Sequence, residues 1–150
     1  MMAYELKQLT GQDKEQIIAF YTGVFTQPPW NDDWSDKAQL ASYIEDLTGN
    51  KNSVAFGFFQ GEEMVGLSMG SIRHWYQGTE YFIDEFCVRT DLQGQGIGTA
   101  FLKAVEDRIR TMGVVHIFLL TDCDVPAFAF YRKNGFTMLE KNTALKKTLV

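Results

Sequence analysis

The chain has 150 residues, 45% hydrophobic and 22% charged, which suits one globular domain, 1–150, with its own core. Lys and Arg number 14 against 19 Asp and Glu; the net charge of −5 argues against a nucleic-acid surface and favours a cationic partner. No apolar run approaches the ~20 residues that cross a bilayer, and Met1-Met2-Ala3-Tyr4-Glu5 lacks a signal peptide's basic-then-apolar order, so a cytoplasmic protein without membrane contact is expected.

Ala3 to Leu9 alternates loosely and reads as a first strand. Thr10 is placed to cap a helix running through Phe25, with Ile17, Ile18, Phe20, Tyr21, Val24 and Phe25 on its apolar side. Pro28-Pro29 ends that helix, because proline lacks an N–H and restricts the residue before it. Ser35 is the expected N-cap of a second helix carrying Leu40, Tyr43, Ile44 and Leu47, and Gly49-Asn50 closes it. Strands are expected over Ser53 to Phe59 and Glu63 to His74, with Gln60-Gly61-Glu62 as their turn, and over Thr79 to Arg89. The clearest helix runs from Ile97 to Met112, where Phe101, Leu102, Val105, Ile109 and Met112 recur at helical spacing before Gly113. Val114 to Leu120 is nearly all apolar, as for a central strand covered on both faces. A short helix from Pro126 to Lys133 stops at Asn134-Gly135, and Phe136 to Glu140 and Ala144 to Leu149 read as two closing strands. This order indicates a mixed α/β sheet with helices packed on it.

Cys87 and Cys123 each sit in apolar surroundings and read as buried thiols. With His74 and His116 isolated in sequence, no metal site is expected, and both histidines read as structural.

The segment Gln93-Gly94-Gln95-Gly96-Ile97-Gly98-Thr99 joins a strand to the best helix. Its alternate glycines remove the Cβ atoms that would hold an anion away from the backbone, and the helix's first N–H groups then point at that anion. Such a turn binds a pyrophosphate without many basic side chains, so an acidic protein can hold a polyanion here. A dinucleotide-binding fingerprint is the nearest rival, but that motif opens a βαβ unit, whereas this turn follows a run of antiparallel strands. A phosphate-binding P-loop fails because no Gly-Lys-Ser/Thr ends the segment.

Three segments carry a more specific likeness. Gln93 to Gly98 resembles the Q/R-x-x-G-x-G/A signature of the GNAT superfamily of acetyltransferases. Asp84-Glu85-Phe86-Cys87-Val88 resembles that family's fourth strand, and Ala127 to Phe136 resembles its A-x-x-F-Y-x-K-x-G-F segment, with Tyr131 and Lys133 at the Y and K. The resemblance covers essentially the whole chain, tightly from Tyr81 to Phe136. It implies a single-domain α/β (α+β) fold, with a mixed, mostly antiparallel sheet of about seven strands flanked by about four helices. It also implies acetyl-CoA as cosubstrate, bound by Phe86, Cys87, Val88, the Gln93 to Thr99 turn, Asp124, Tyr131 and Lys133.

Transfer to an amine by direct attack in a ternary complex is the implied reaction, which leaves Cys87 no nucleophilic role. Strand amides near Phe86 to Val88 then polarise the thioester carbonyl. By the same resemblance Tyr131 protonates the departing thiolate; the alternative is a core aromatic among Phe128, Phe130 and Phe136. Polyamine and aminoglycoside 6′-acetyltransferases carry a catalytic carboxylate at the place of Asp84, so Asp84 is preferred as base or as anchor of a cationic acceptor, with Glu85 its competitor. Strand alternation sets the two on opposite faces, although the family strand carries a bulge here. Asp124 departs from the family's usual Asn, and contacts coenzyme A or caps the helix at Pro126.

Trp30, Asp32, Asp33 and Trp34 link the first two helices, which in the family border the acceptor cleft, and suit an ammonium group; the alternative is a loop packed by its own tryptophans. His74, Trp75 and Tyr76 offer a second wall. The acceptor expected is a small-molecule amine, the alternative a peptide N-terminus or lysine side chain. A coenzyme-binding sensor without turnover is a third reading, opposed by the presence of both Tyr131 and Asp84. Many relatives dimerise, so the family implies a homodimer.

Overall fold

Five strands, β1 (Tyr4–Leu9), β2 (Ser53–Gln60), β3 (Glu63–Trp75), β4 (Gly78–Val88) and β5 (His116–Leu119), lie side by side in sequence order in the computed structural model, which describes residues 3–150. The first four pair antiparallel and β5 joins β4 in parallel, so the sheet is mixed and mostly antiparallel, as expected. Helices α1 (Lys14–Phe25), α2 (Lys37–Thr48), α3 (Ile97–Arg110) and α4 (Pro126–Lys133) complete the regular elements. The chain divides into two compact units, one ending at Leu120 and one spanning Thr121–Val150. Met1 and Met2 of the signal-peptide reading lie outside the described residues.

Local chemistry sets the helix starts. Thr10 Oγ1 accepts from the Gln12 N–H at 3.2 Å while Asp13 Oδ2 accepts from the Thr10 N–H at 2.9 Å, a reciprocal cap that launches α1 through one 3-10 turn. At α2 the cap is Asp36, whose Oδ1 accepts from the Gln39 N–H at 3.0 Å; this corrects the choice of Ser35 by one residue.

Strand alternation sorts the side chains of the first unit onto two faces. On one, Leu9, Ala55, Phe59, Leu67, Met69 and Cys87 meet Ile17, Tyr21, Val24 and Phe25 of α1 and Leu40 and Ile44 of α2. On the other, Phe56, Phe58, Val65, Tyr81, Ile83 and Val88 meet Ile97, Phe101, Val105 and Ile109 of α3. The Phe101 ring is fully buried and stacks on Phe58 at 5.1 Å and on Phe86 at 4.9 Å. Phe101→Ala removes that ring from a closed layer and is expected to cost about 3–5 kcal/mol in urea unfolding. A loss below about 1 kcal/mol would mean that the α3 face is not a packed core.

Three expectations are corrected. The sheet has five strands rather than about seven, because residues 137–150 are exposed and form no strand ladder among the described residues. Met138, Leu145 and Leu149 are exposed apolar side chains of this stretch, and none of them lies in a strand. The stretch expected as a central strand contributes only His116–Leu119, at the sheet's edge, with Val115 and Leu120 each 67% exposed. Of the two cysteines only Cys87 is buried; Cys123 lies in the loop before α4 and is exposed.

Candidate active site

The middle of β4 carries the site. Met69 pairs with Glu85 and the next residue, Gly70, pairs with Ile83, so Asp84 is an extra residue, a β-bulge. Gly70 permits it: a Cβ there would lie 2.2 Å from the Phe82 carbonyl oxygen. The bulge resets the alternation. Ile83 and Phe86 pack with the α3 layer, whereas Cys87 packs with α1 and α2, and Glu85 reaches hydroxyls of those same two helices. Plain alternation therefore breaks at Asp84, and Glu85 is the carboxylate that meets α1 and α2.

Glu85 is half-buried, and Asp84 is exposed. Glu85 Oε1 accepts from the Tyr43 hydroxyl of α2 at 2.6 Å and from the Tyr21 hydroxyl of α1 at 3.3 Å. Its other oxygen, Oε2, accepts no hydrogen bond among the described residues. Burial pushes the Glu85 carboxyl above the usual range, the two tyrosine hydroxyls pull against it, and the charges of Asp32 and Asp84 add to the rise. Burial also raises Asp84, against the attraction of Arg73 on β3, whose guanidinium lies 4.0 Å from the Phe82 ring centroid. Burial and the Glu85 carboxylate push both tyrosines far above the usual phenol range, so they remain donors throughout the working pH range. Neither tyrosine was singled out from sequence as part of the site. The signal for them was a tyrosine in place of phenylalanine on a helix's apolar face, since a buried phenol needs a polar partner.

The acceptor residues named from sequence divide. Trp34 stacks on Tyr43 at 5.3 Å and meets Tyr21 edge-on at 5.7 Å, and Trp30 packs on Phe25 at 5.5 Å, so both tryptophans lean on the core. Asp33 Oδ1 accepts from the Ser35 N–H at 3.0 Å; the Ser35 side chain first and this backbone contact second hold its pKa below the usual value. Asp32 is the carboxylate of this loop that acts on Glu85 and Tyr21. Trp75 and Tyr76 project from the β3–β4 turn, 56% and 81% exposed. Two surface depressions, of about 270 Å³ beside Lys14, Ser42 and Glu45 and about 170 Å³ beside Arg110 and His116, include none of these residues.

Past Ile83 the β4–β5 ladder stops, so no β5 residue pairs with Phe86, Cys87 or Val88. After β4, one 3-10 turn leads into Gln93, whose Nε2 donates to the Val88 carbonyl at 3.2 Å and braces the turn against the strand. Gly94 and Gly96 follow with φ of 83° and 81°, backbone that disfavours any side chain, and both face open space. The α3 helix starts without a side-chain cap. Its first-turn N–H groups, from Ile97 to Thr99, thus point out of an exposed, Cβ-free turn. Arg89, just before the turn in sequence, is paired with Asp91 at 2.7 Å and Glu63 at 3.2 Å, which leaves backbone N–H groups as what the turn itself offers an anion. Cys87 is buried and its thiol pushed well up by that burial, which opposes a thiolate nucleophile.

The second unit holds the remaining residues named from sequence. Tyr131 sits on α4 with its ring edge-on to Phe130 at 5.4 Å and to Phe136 at 5.2 Å. The helix ends where the Phe136 N–H reaches back to the Tyr131 carbonyl at 3.0 Å and the Gly135 N–H to that of Arg132 at 3.3 Å. Lys133 closes its last turn, exposed. The N-cap is Val125 and no side chain caps the helix, so the capping reading of Asp124 is corrected.

Known proteins share this sequence and fold. The mycothiol acetyltransferase of Saccharomonospora viridis is 30% identical over 145 residues, 87% of this chain but 44% of that protein, so the chain spans less than half of it. An acetyltransferase of Sodalis glossinidius is 25% identical over 147 residues, 97% of this chain and 96% of its own length. Among solved structures, an aminoglycoside acetyltransferase from an uncultured soil sample, in complex with sisomicin, superposes with a TM-score of 0.75 at 22% identity, covering 98% of this chain and 97% of that one. The model of the Acetyltransferase (GNAT) family matches residues 14–136, from the start of α1 through α4 to Phe136, and the chain belongs to that family.

Proposed function

We propose that the protein moves an acetyl group from acetyl-CoA to the primary amine of a small cationic molecule, by direct attack in a ternary complex and as one domain. The observation that carries this reading is the Glu85 carboxylate, one oxygen held by two phenols and the other open, on the strand that leads into the glycine turn. The coenzyme's pyrophosphate rests on the backbone from Gln93 to Thr99. Its pantetheine arm runs along Phe86, Cys87 and Val88, with support from the end of the β4–β5 ladder at Ile83. Asp124, an acceptor when ionised, takes an amide N–H of that arm, and Lys133 meets the coenzyme from α4.

Sequence alone preferred Asp84 as the base; burial and orientation favour Glu85. Glu85 Oε2 takes the proton from the acceptor ammonium and leaves a neutral amine. The amine nitrogen attacks the thioester carbonyl carbon, polarised by the strand amides. The C–S bond breaks as the amide forms; the Tyr131 hydroxyl gives its proton to the thiolate, and the second proton shed by the attacking nitrogen restores the phenol. Asp84 and Asp32 hold the acceptor's further positive charge. The homodimer is kept on the family resemblance alone.

Initial rates with both substrates varied test the ternary complex. Intersecting double-reciprocal lines are expected; parallel lines would mean a covalent acetyl-enzyme and overturn the mechanism. Asp84→Asn is expected to raise the KM of the amine about 3- to 10-fold with kcat little changed, the scale of an exposed ion pair. A large fall in kcat at unchanged KM would return the base role to Asp84.

A further inference from the structure

Glu85 is reached by a hydroxyl from each of two helices that have no other polar contact with β4 among the hydrogen bonds described. Tyr21 and Tyr43 come from different helices, 64 and 42 residues from Glu85 in sequence, yet both hydroxyls converge on the one atom Oε1. Core packing alone does not require this, because phenylalanine fills nearly the same volume. Their rings are locked by Trp34, which stacks on Tyr43 and meets Tyr21 edge-on. We propose that Tyr21 and Tyr43 are positioning residues, which clamp one oxygen of the Glu85 carboxylate and so present the other to the acceptor's ammonium group. The proposal rests on Glu85 being the base, the role given to it above.

The clamp has two consequences. With Oε1 occupied, the carboxylate cannot rotate freely about its last bond without breaking the short Tyr43 contact, so Oε2 keeps one direction. Two O–H donors also favour the ionised carboxylate, which keeps Glu85 able to accept a proton despite its burial. The other groups facing it work the opposite way: Asp32 from the loop between α1 and α2 and Asp84 from β4 both disfavour its charge. Arg73 of β3 acts on Asp84, and the buried Cys87 thiol stays neutral. Loss of either phenol therefore raises the Glu85 pKa, and the acidic limb of kcat/KM moves to higher pH.

The test is the pH dependence of kcat/KM for Tyr43→Phe, Tyr21→Phe and Glu85→Gln, with the Glu85 carboxyl of the two phenylalanine variants also titrated directly by carbon-13 NMR. Tyr43→Phe is expected to move the acidic limb and the NMR midpoint up together by about one pH unit, and Tyr21→Phe, whose contact is longer, by less. Glu85→Gln is expected to abolish the limb. If Glu85→Gln abolishes it while both phenylalanine variants keep limb and midpoint in place, the clamp is overturned and Glu85 stands. If the limb survives in Glu85→Gln, the base assignment falls and the clamp falls with it. Each phenylalanine variant keeps its ring and removes one oxygen, so either one alone decides the matter if the other fails to fold.

Discussion

Glu85→Gln is expected to lower kcat/KM about 10²- to 10⁴-fold and to remove the acidic limb of its pH profile. The amide keeps the shape of the side chain and an oxygen for Tyr43 and Tyr21 to donate to, so the helices stay in place. What it loses is the lone pair of a base at Oε2. Sign and window follow from the environment. The carboxyl titrates above the ordinary glutamate range because burial outweighs the two phenol donors. Below that raised pKa Glu85 is protonated and cannot accept the amine's proton; above it, activity levels off until another group titrates. Asp84→Asn is expected to keep the limb, since that carboxylate is exposed and the charge of Arg73 favours its ionised form. A Glu85→Gln enzyme that retained the limb, beside an Asp84→Asn enzyme that lost it, would reverse the two roles.

Tyr131→Phe is the second large effect, a fall in kcat of about 10²- to 10⁴-fold with the KM for acetyl-CoA little changed. The ring's edge-on contacts with Phe130 and Phe136 survive the substitution, as does the backbone bond from Phe136 to the Tyr131 carbonyl. A tyrosine that acted through its ring alone would leave turnover nearly normal. Stopped-flow release of the coenzyme thiol, followed with a good thiol leaving group and a poor one, separates the two cases. An acid role predicts a larger defect for the poorer leaving group; equal, small defects would remove Tyr131 from the chemistry.

The glycine turn was legible because it depends on backbone, and glycine spacing reports backbone. Gly94 and Gly96 take the left-handed conformation that alternate glycines before a helix foretell. Helices were legible for a similar reason: Phe101, Val105 and Ile109 recur at a period that only one structure satisfies. The surroundings of Glu85 were read less well because they depend on which groups the fold brings together. Tyr21 and Tyr43 looked like core aromatics, and only the packing of α1 and α2 on the sheet shows their hydroxyls meeting one carboxylate. Trp30 and Trp34 were read in two ways, and both pack on the core. The bulge at Asp84 left one local trace, Gly70 on the facing strand, whose meaning depends on the register. The closing strands were misread because apolar residues such as Met138, Leu145 and Leu149 do not by themselves report a pairing strand.

The central claim is transfer from acetyl-CoA to a small cationic amine. Its most direct measurement is release of free coenzyme A thiol by the whole chain across a panel of polyamines, aminoglycosides, amino acids and lysine- or N-terminus-bearing peptides, with the acetylated product identified by mass spectrometry. The expected result is thiol release that depends on a small polycationic amine, with one acetyl group added at a primary nitrogen. Thiol release that responds only to peptides would contradict the small-amine assignment, and binding of acetyl-CoA with no transfer to any member of the panel would contradict the reaction itself.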